Sequence, residues 1–115
     1  MGLKPVTRRT VADADIEAIV DYYLREADAA VAASFVEALH SAVRLIQRYP
    51  SIGSSRYAAL VRIPDLRTST LDRFPYVICY LDQESRIDIV RILHARRDIP
   101  AWLAESPAHD GDGQE

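Results

Sequence analysis

Hydrophobic and polar positions recur along this chain with two different periods, and these periods predict its elements. Residues 76–81 and 86–94 are apolar runs rich in β-branched and aromatic side chains, as is typical of strands. The polar segment 82–85 between them has the length of a hairpin loop. The second run is apolar on both sides, which predicts a central strand covered on both faces. We expect one face to carry Ile87, Ile89 and Leu93, and the other Val90 and Ile92.

A helical period occupies the chain before these strands. Thr10 and Asp13 match a capping box, and apolar residues then recur at helical spacing as far as Ala27, with Asp15 on the solvent-facing side. Asp28 is a good N-cap for a second helix. This helix should end at Tyr49, because a proline disfavours helical backbone in the residue before it. Its apolar stripe consists of Ala32, Phe35, Val36, Leu39, Val43 and Ile46.

The remaining segments complete a small α+β domain. Residues 6–9 predict a short edge strand, since Pro5 cannot donate to a sheet ladder. Residues 66–71 predict another strand, and residues 56–65 fit either a short helix or an irregular strand. Residues 100–104 fit one helical turn that docks Trp102 and Leu103. The order β-α-α-β-β-β predicts a helical hairpin packed on a small, mainly antiparallel sheet.

Length and composition predict a single small domain of a cytoplasmic protein. Its 115 residues suffice for one domain, which we place at residues 1–104. Residues 105–115 are acidic and poor in apolar residues, and we expect them to be disordered. Cys79 is the only cysteine, so it should be a small core residue in a protein of the reducing cytoplasm. We recognise no signal peptide, and no apolar run that approaches the ~20 residues of a membrane span.

The net charge of −3 is unevenly distributed. Residues 41–104 carry ten arginines and six acidic residues, a net charge of +4, while residues 105–115 carry four acidic residues and no basic one. Arginine binds carboxylates and phosphates with two parallel hydrogen bonds. The basic middle of the chain is therefore the candidate surface for an acidic or phosphate-bearing partner.

Few residues in this basic region could act as catalytic or phosphate-binding groups. His94 is a candidate general base, because histidine titrates near neutrality; it could equally be a hydrogen-bonded structural residue. Arg67 and Arg91 could converge on the open sheet face, or could each pair with Asp65, Asp72, Asp88 or Asp98. Arg97 and Asp98 could form a structural ion pair. Metal-ligand spacing and a glycine-rich phosphate loop are both missing, so we expect no metal and no cofactor.

Six short segments follow one another along the chain in a recognisable order and spacing. They are Ala14, Asp15, Ile16, Ile19 and Tyr22; Phe35 and Leu39; Pro50, Gly53 and Arg56; Leu66 and Arg67; Phe74, Pro75, Tyr76, Ile78 and Tyr80; and Ile92, Leu93, His94, Arg97 and Asp98. Together they resemble the ParE/RelE superfamily of bacterial toxins from toxin–antitoxin systems. The resemblance covers about residues 6–103, and the ending Leu93, His94, Arg97, Asp98 is similar to the ParE branch.

The resemblance implies three alternative functions. A ParE-like toxin would inhibit growth through DNA gyrase by binding. A RelE-like toxin would be a ribosome-dependent messenger RNA endoribonuclease, for which His94, Arg67 and Arg91 would be the catalytic candidates. No tyrosine follows Tyr80 and no lysine lies in the basic region, and this favours the gyrase inhibitor. The third alternative is a degenerate, non-toxic module that retains only antitoxin binding.

The resemblance also implies a partner, a cognate antitoxin of the ParD-like, ribbon-helix-helix type, in a toxin–antitoxin hetero-oligomer. We expect its acidic, disordered segment to fold against the basic region, while the acidic end of this chain takes no part. The expected partner-binding residues are Arg56, Arg67, Arg91, His94, Arg96 and Arg97.

Overall fold

A computed structural model describes residues 3–105 of the chain. The predicted disorder of the acidic end lies outside the described residues, apart from Glu105. Within the described range the elements follow the predicted order, with two further short helices. In chain order, the elements are β1 (Val6–Arg8), α1 (Thr10–Glu26), α2 (Ala29–Arg48), a 3₁₀ turn (Pro50–Ile52), α3 (Ala58–Val61), β2 (Leu66–Thr70), β3 (Tyr76–Asp82), β4 (Ile87–His94) and α4 (Ile99–Glu105).

The four strands form one mixed sheet in the order β1-β4-β3-β2. β3 pairs antiparallel with both β2 and β4, and β1 runs parallel to β4. β1 is an edge strand, as predicted, and the carbonyl of Pro5 begins its ladder by accepting a hydrogen bond of 2.8 Å from the Ile87 N–H. The predicted α+β fold is therefore confirmed.

The two long helices begin differently from each other. Asp28 caps α2 as predicted, since its carboxylate accepts a hydrogen bond of 2.9 Å from the Val31 N–H. The predicted capping box at α1 is wrong, because the helix already includes Thr10 and its N-cap is Arg9, without a side-chain cap. The Asp13 carboxylate instead accepts a hydrogen bond of 2.6 Å from Nε of Arg8.

The sheet is covered on both faces, which produces two apolar clusters. The helix-side cluster packs α1 and α2 on the sheet, and it buries Phe35 fully and Leu39 almost fully. The second cluster lies under α3 and α4, with Ile99 and Leu103 buried against the other face. The segment left open between helix and strand thus forms a helix, α3, and the turn predicted around Trp102 is part of α4.

A β-bulge in β4 changes which of its residues share a face. Tyr80 pairs with Ile89 and Cys79 pairs with Arg91, so Val90 is an extra residue between them. Beyond the bulge the alternation is inverted, and Ile92 joins Ile87 and Ile89 in the helix-side cluster. Val90 and Leu93 belong to the second cluster. The predicted division of these five residues is therefore wrong, because strict alternation does not allow for an inserted residue.

α2 is long and apolar enough, by length and composition, to cross a membrane, which corrects the expectation that no apolar run approaches this length. The core helix of a globular protein meets the same criterion. In this fold Phe35, Leu39 and Ile46 of α2 pack in the helix-side cluster. The apolar character of α2 is therefore explained by its place on the sheet.

Candidate functional site

The end of β4, the turn that follows it and α4 meet α1 around a pocket of about 320 Å³, which we call the Trp102 pocket. Three of the predicted functional residues line it, namely Arg91, His94 and Arg97. Arg96 lies exposed in the same turn. The lining residues are Asp15, Ala18, Ile19, Tyr22, Tyr76, Arg91, Ile92, Leu93, His94, Arg97 and Trp102.

A nearly buried ion pair forms the inner wall of this pocket. Nε and Nη2 of Arg91 each donate a hydrogen bond of 2.8 Å to the Asp15 carboxylate. The carboxylate also accepts a hydrogen bond of 3.0 Å from the Ile92 N–H. β1 pairs with β4 only as far as Ile89, so Asp15 of α1 satisfies backbone that β1 no longer covers. Asp15 is therefore not on the solvent side of α1, and the carboxylate that neutralises Arg91 is none of those considered from the sequence.

Trp102 lies between α4 and two guanidinium groups. The Arg97 guanidinium carbon is 4.5 Å from the centre of the indole ring, and that of Arg91 is 5.4 Å from it, both within range of cation–π attraction. Asp98 accepts a hydrogen bond of 3.3 Å from the Ala101 N–H at the start of α4. The predicted Arg97–Asp98 ion pair is not formed, because Arg97 stacks on Trp102 and Asp98 accepts from the Ala101 N–H.

His94 has structural contacts on both sides. Its ring packs edge-on against Tyr76, with 5.3 Å between ring centres, and its Nδ1 accepts a hydrogen bond of 3.1 Å from the Arg96 N–H. Burial, together with the neighbouring Tyr23, raises the pKa of Tyr76 to about 12. Tyr76 therefore remains a neutral phenol near neutral pH and cannot serve as a general base there.

Arg67 lies on the other face of the sheet from Arg91. Residues paired across an antiparallel ladder point to the same face; Arg67 pairs with Tyr80 of the helix-side cluster, and Arg91 with Cys79 of the second cluster. The structure therefore does not bring the two arginines together on one open face.

The contacts of Arg67 hold the segment 50–53 against the sheet. Its Nη1 donates to the carbonyls of Gly53 and Ser51, at 2.8 and 3.3 Å. The Tyr80 hydroxyl donates to the Pro50 carbonyl at 2.7 Å and accepts from the Gly53 N–H at 3.0 Å. A Cβ on Gly53 would lie only 2.6 Å from this hydroxyl, so the close approach requires glycine. Arg67 thus has a structural role in the described fold.

Arg56 is separate from both of these groups. It is exposed just before α3. Its guanidinium carbon lies 4.8 Å from the centre of the Tyr57 ring, and its Nη2 donates a hydrogen bond of 2.9 Å to the Tyr57 hydroxyl. The six predicted partner-binding residues therefore divide into one group of four at the Trp102 pocket and two isolated arginines.

The described residues, 3–105, contain no group of three histidine, cysteine, aspartate or glutamate side chains that could hold a metal ion. Cys79 is fully buried, and burial raises the pKa of its thiol to about 12, so its sulfur is not a nucleophile at neutral pH. The Trp102 pocket therefore offers exposed arginine and aromatic surface for binding. Its lining includes one histidine, His94, while the Asp15 carboxylate is paired with Arg91.

Sequence reasoning missed two members of the site. Asp15 was assigned to solvent, although it is part of the first segment that resembles the ParE/RelE superfamily. Trp102 was expected to dock on the body of the protein, but its stacking on two arginines depends on where α4 places it. The tertiary contacts of Asp15 and Trp102 determine where these side chains lie, and a local sequence pattern does not predict such contacts.

Comparison with known proteins gives the family. Residues 6–99 match the family model described as ParE toxin of type II toxin–antitoxin system, parDE. A solved chain from the chromosomal ParDE toxin–antitoxin system of P. aeruginosa is 26% identical, with a TM-score of 0.68 over 82% of this chain and 98% of that one. The chain matches no curated protein sequence. The family match covers most of the chain, and the protein therefore belongs to the ParE toxin family of type II toxin–antitoxin systems.

Proposed function

We propose that this toxin arrests growth by binding DNA gyrase, without a catalytic step of its own, and that a cognate ParD-like antitoxin neutralises it in a toxin–antitoxin hetero-oligomer in the cytoplasm. Membership of the ParE family and the fold shared with a ParDE chain support the toxin role and the antitoxin partner. The gyrase target follows from the resemblance to the ParE branch.

The arrangement of the three nuclease candidates is the observation that carries this proposal. Cleavage of RNA without a metal requires a base, an acid and cations around one phosphate. Arg67 and Arg91 lie on opposite faces of the sheet, and Arg91 is already neutralised by Asp15. With the Asp15 carboxylate paired to Arg91 and the pKa of Tyr76 raised to about 12, His94 is left as the candidate general base of the pocket. These residues favour a binding protein over a ribosome-dependent nuclease.

The Trp102 pocket is the surface we assign to the target. Arg96 and Arg97 are exposed there, and Tyr22 exposes 46% of its surface beside them. Aromatic and arginine side chains dominate the energetics of protein interfaces. Exposed guanidinium groups also suit the phosphates of DNA that gyrase holds.

Induction in cells without the antitoxin tests the proposal against both alternatives. We expect growth arrest in the wild type and in His94→Ala, with translated messenger RNA left intact by primer extension. Codon-positioned cuts that disappear in His94→Ala would establish the nuclease instead. Normal growth at a verified level of folded protein would identify a non-toxic antitoxin-binding module.

A further inference from the structure

The Trp102 pocket has the size and the charge of a site for one small anionic group. Its volume of about 320 Å³ is at the lower end of ligand pockets, which span roughly 300–1,000 Å³. Its lining contains two arginines, Arg91 and Arg97, and one acidic residue, Asp15, whose carboxylate is paired with Arg91. Arg97 forms no ion pair with a carboxylate of the described residues 3–105. The pocket therefore carries one cation whose charge is not balanced within it.

Trp102 orients this cation for binding. The Arg97 guanidinium carbon lies over the indole ring, 4.5 Å from its centre. A guanidinium that stacks on a ring keeps its N–H donors in its own plane, where they can still bind a phosphate with two parallel hydrogen bonds. The contact also restricts a flexible side chain before the ligand arrives, which lowers the entropic cost of binding. Arg96, exposed in the same turn, adds a second positive charge.

The rings beside these arginines provide contacts that a bare anion does not use. Tyr22 exposes 46% of its surface, and it meets Tyr23 in an edge-to-face arrangement with 5.2 Å between ring centres. His94 accepts a hydrogen bond from the Arg96 N–H at Nδ1, so the neutral ring carries its proton on Nε2, as a donor. An exposed aromatic ring beside arginines is the arrangement by which proteins bind single-stranded nucleic acid, with bases on the rings and phosphates on the cations.

The size of the pocket distinguishes between forms of nucleic acid. Bases of a duplex are stacked on their neighbours, and a protein reaches one in a pocket only where the strand is unpaired or the base leaves the stack. A volume of about 320 Å³ suits one such nucleotide and no longer segment. A DNA strand that gyrase has opened or cleaved presents unpaired nucleotides of this kind.

We propose that the Trp102 pocket binds one unpaired nucleotide of a DNA strand, with the phosphate on Arg97 and Arg96 and the base against Tyr22, which rests on the function proposed above. The toxin would thus contact the DNA within the gyrase complex through this pocket, and would contact gyrase itself through other residues. A carboxylate on the surface of gyrase is the competing occupant, since it would satisfy the same arginines.

Fluorescence anisotropy of a labelled oligothymidylate of about ten nucleotides, titrated with the full chain, measures the affinity for single-stranded DNA. Tyr22→Ala should weaken binding at least ~5-fold, because it removes the stacking surface. Its matched control is Tyr49→Ala, at a tyrosine that exposes 56% of its surface and does not line the pocket. Arg97→Glu should weaken binding at least ~10-fold. Its control, Arg44→Glu in α2, should stay within about twofold, since charges beyond ~8 Å are screened at physiological salt.

Trp102 gives a second, local readout, because it is the only tryptophan of the chain. Its emission should change as the unlabelled oligothymidylate binds, and the change should saturate at the concentrations that the anisotropy gives. A duplex of the same length should bind at least ~10-fold more weakly. Thymidine monophosphate and inorganic phosphate, titrated separately, distinguish a DNA strand from a free nucleotide or a simple anion. If either of them binds as tightly as the oligothymidylate, the assignment to a DNA strand is overturned.

The outcomes separate this inference from the proposed function. If wild type does not bind the oligothymidylate, or if Tyr22→Ala and Arg97→Glu bind it like their controls, the inference is wrong, while inhibition of gyrase by the wild type would leave the proposed function standing. If Arg97→Glu weakens binding to gyrase free of DNA, the pocket belongs to the protein target and the inference is overturned. If the oligothymidylate binds as expected but wild type leaves gyrase unaffected, the inferred site stands and the proposed target falls. Far-UV circular dichroism verifies that each variant is folded.

Discussion

Arg91 shows how a residue with functional chemistry can serve the fold. Its guanidinium and the Asp15 carboxylate expose only 10% and 15% of their side-chain surfaces, and they join the last strand to the first helix. Such a pair gains little over an apolar contact, but loss of one member leaves the other as an uncompensated buried charge. The pair also forms the inner wall of the Trp102 pocket, so the shape of this candidate binding surface depends on it.

Arg91→Ala should therefore lower the free energy of unfolding by ~3–5 kcal/mol. The double variant Arg91→Ala with Asp15→Ala should lose less than the sum of the two single changes, since neither charge is then stranded. Urea unfolding of the four proteins measures the coupling. Additive effects, or a loss below ~1 kcal/mol in Arg91→Ala, would contradict a buried pair.

The burial of the Cys79 thiol predicts that the stability of the protein falls at alkaline pH. Its folded pKa of about 12 lies above the ordinary value of 9.0, so the folded state retains a proton that the unfolded state releases. The stabilisation is complete below pH 9 and is lost as the pH rises toward 12. We expect the free energy of unfolding to fall above pH ~9 by up to ~1.4 kcal/mol per pH unit from this group. Cys79→Ala should lack this component in denaturant titrations; equal slopes in both proteins would contradict it.

At the scale of elements, the helical hairpin is stable because α2 places one apolar stripe on the sheet. Phe35 is fully buried and lies 5.6–6.0 Å, between ring centres, from Tyr23, Phe74 and Tyr76. Aromatic side chains in such edge-on or tilted pairs stabilise a core beyond their buried area. This cluster connects α1, α2 and β3.

Phe35→Ala should cost roughly 3–5 kcal/mol of unfolding free energy, since it would leave a cavity among these rings. Leu24→Ala, a change at an exposed position of α1, is the matched control and should cost little. Denaturant midpoints at constant m-value measure both. A cost below ~1 kcal/mol for Phe35→Ala would contradict the burial of this face of α2 under the sheet.

The sequence predicted elements better than it predicted contacts. Helical periodicity identified α1 and α2 and the buried stripe of Phe35 and Leu39, and apolar runs identified β3 and β4. The faces of β4 were wrong because the bulge at Val90 inserts a residue without any local signal. The role of Asp15 was missed because a charged helix residue that pairs across the fold has the same local pattern as a solvated one.

The candidate site, too, could be predicted only in part, because the sequence does not show its contacts. The resemblance selected His94 and Arg97, the charge on an apolar strand selected Arg91, and the structure places all three at the Trp102 pocket. The sequence could not separate them from Arg67 and Arg56, because it does not show which face of the sheet a basic residue of each strand points to. Only the pairing register distinguishes Arg67 from Arg91.

At the scale of the whole molecule, residues 41–104 carry a net charge of +4, and residues 105–115 are acidic. Arg91→Glu would set a second carboxylate against Asp15, so reversal of charge at Arg91 would test stability rather than binding. Arg96 and Arg97 are exposed, and they are the positions at which charge reversal tests binding by the Trp102 pocket.

Removal of residues 106–115 should leave antitoxin affinity within about twofold of the wild type. Three of these residues are acidic, and they would repel an acidic partner rather than bind it. Calorimetry with the full chain and the truncated chain measures the effect. A tenfold loss on truncation would place these residues in the interface.

Inhibition of gyrase supercoiling by the purified protein is the most direct test of the central claim, that this toxin acts by binding gyrase. We predict that wild type and His94→Ala inhibit at similar concentrations, or trap cleaved DNA, and that Arg96→Glu with Arg97→Glu weakens this effect. Prior addition of the antitoxin should abolish it. Unchanged supercoiling over a wide range of toxin concentrations, with a folded and growth-inhibiting protein, would contradict the account.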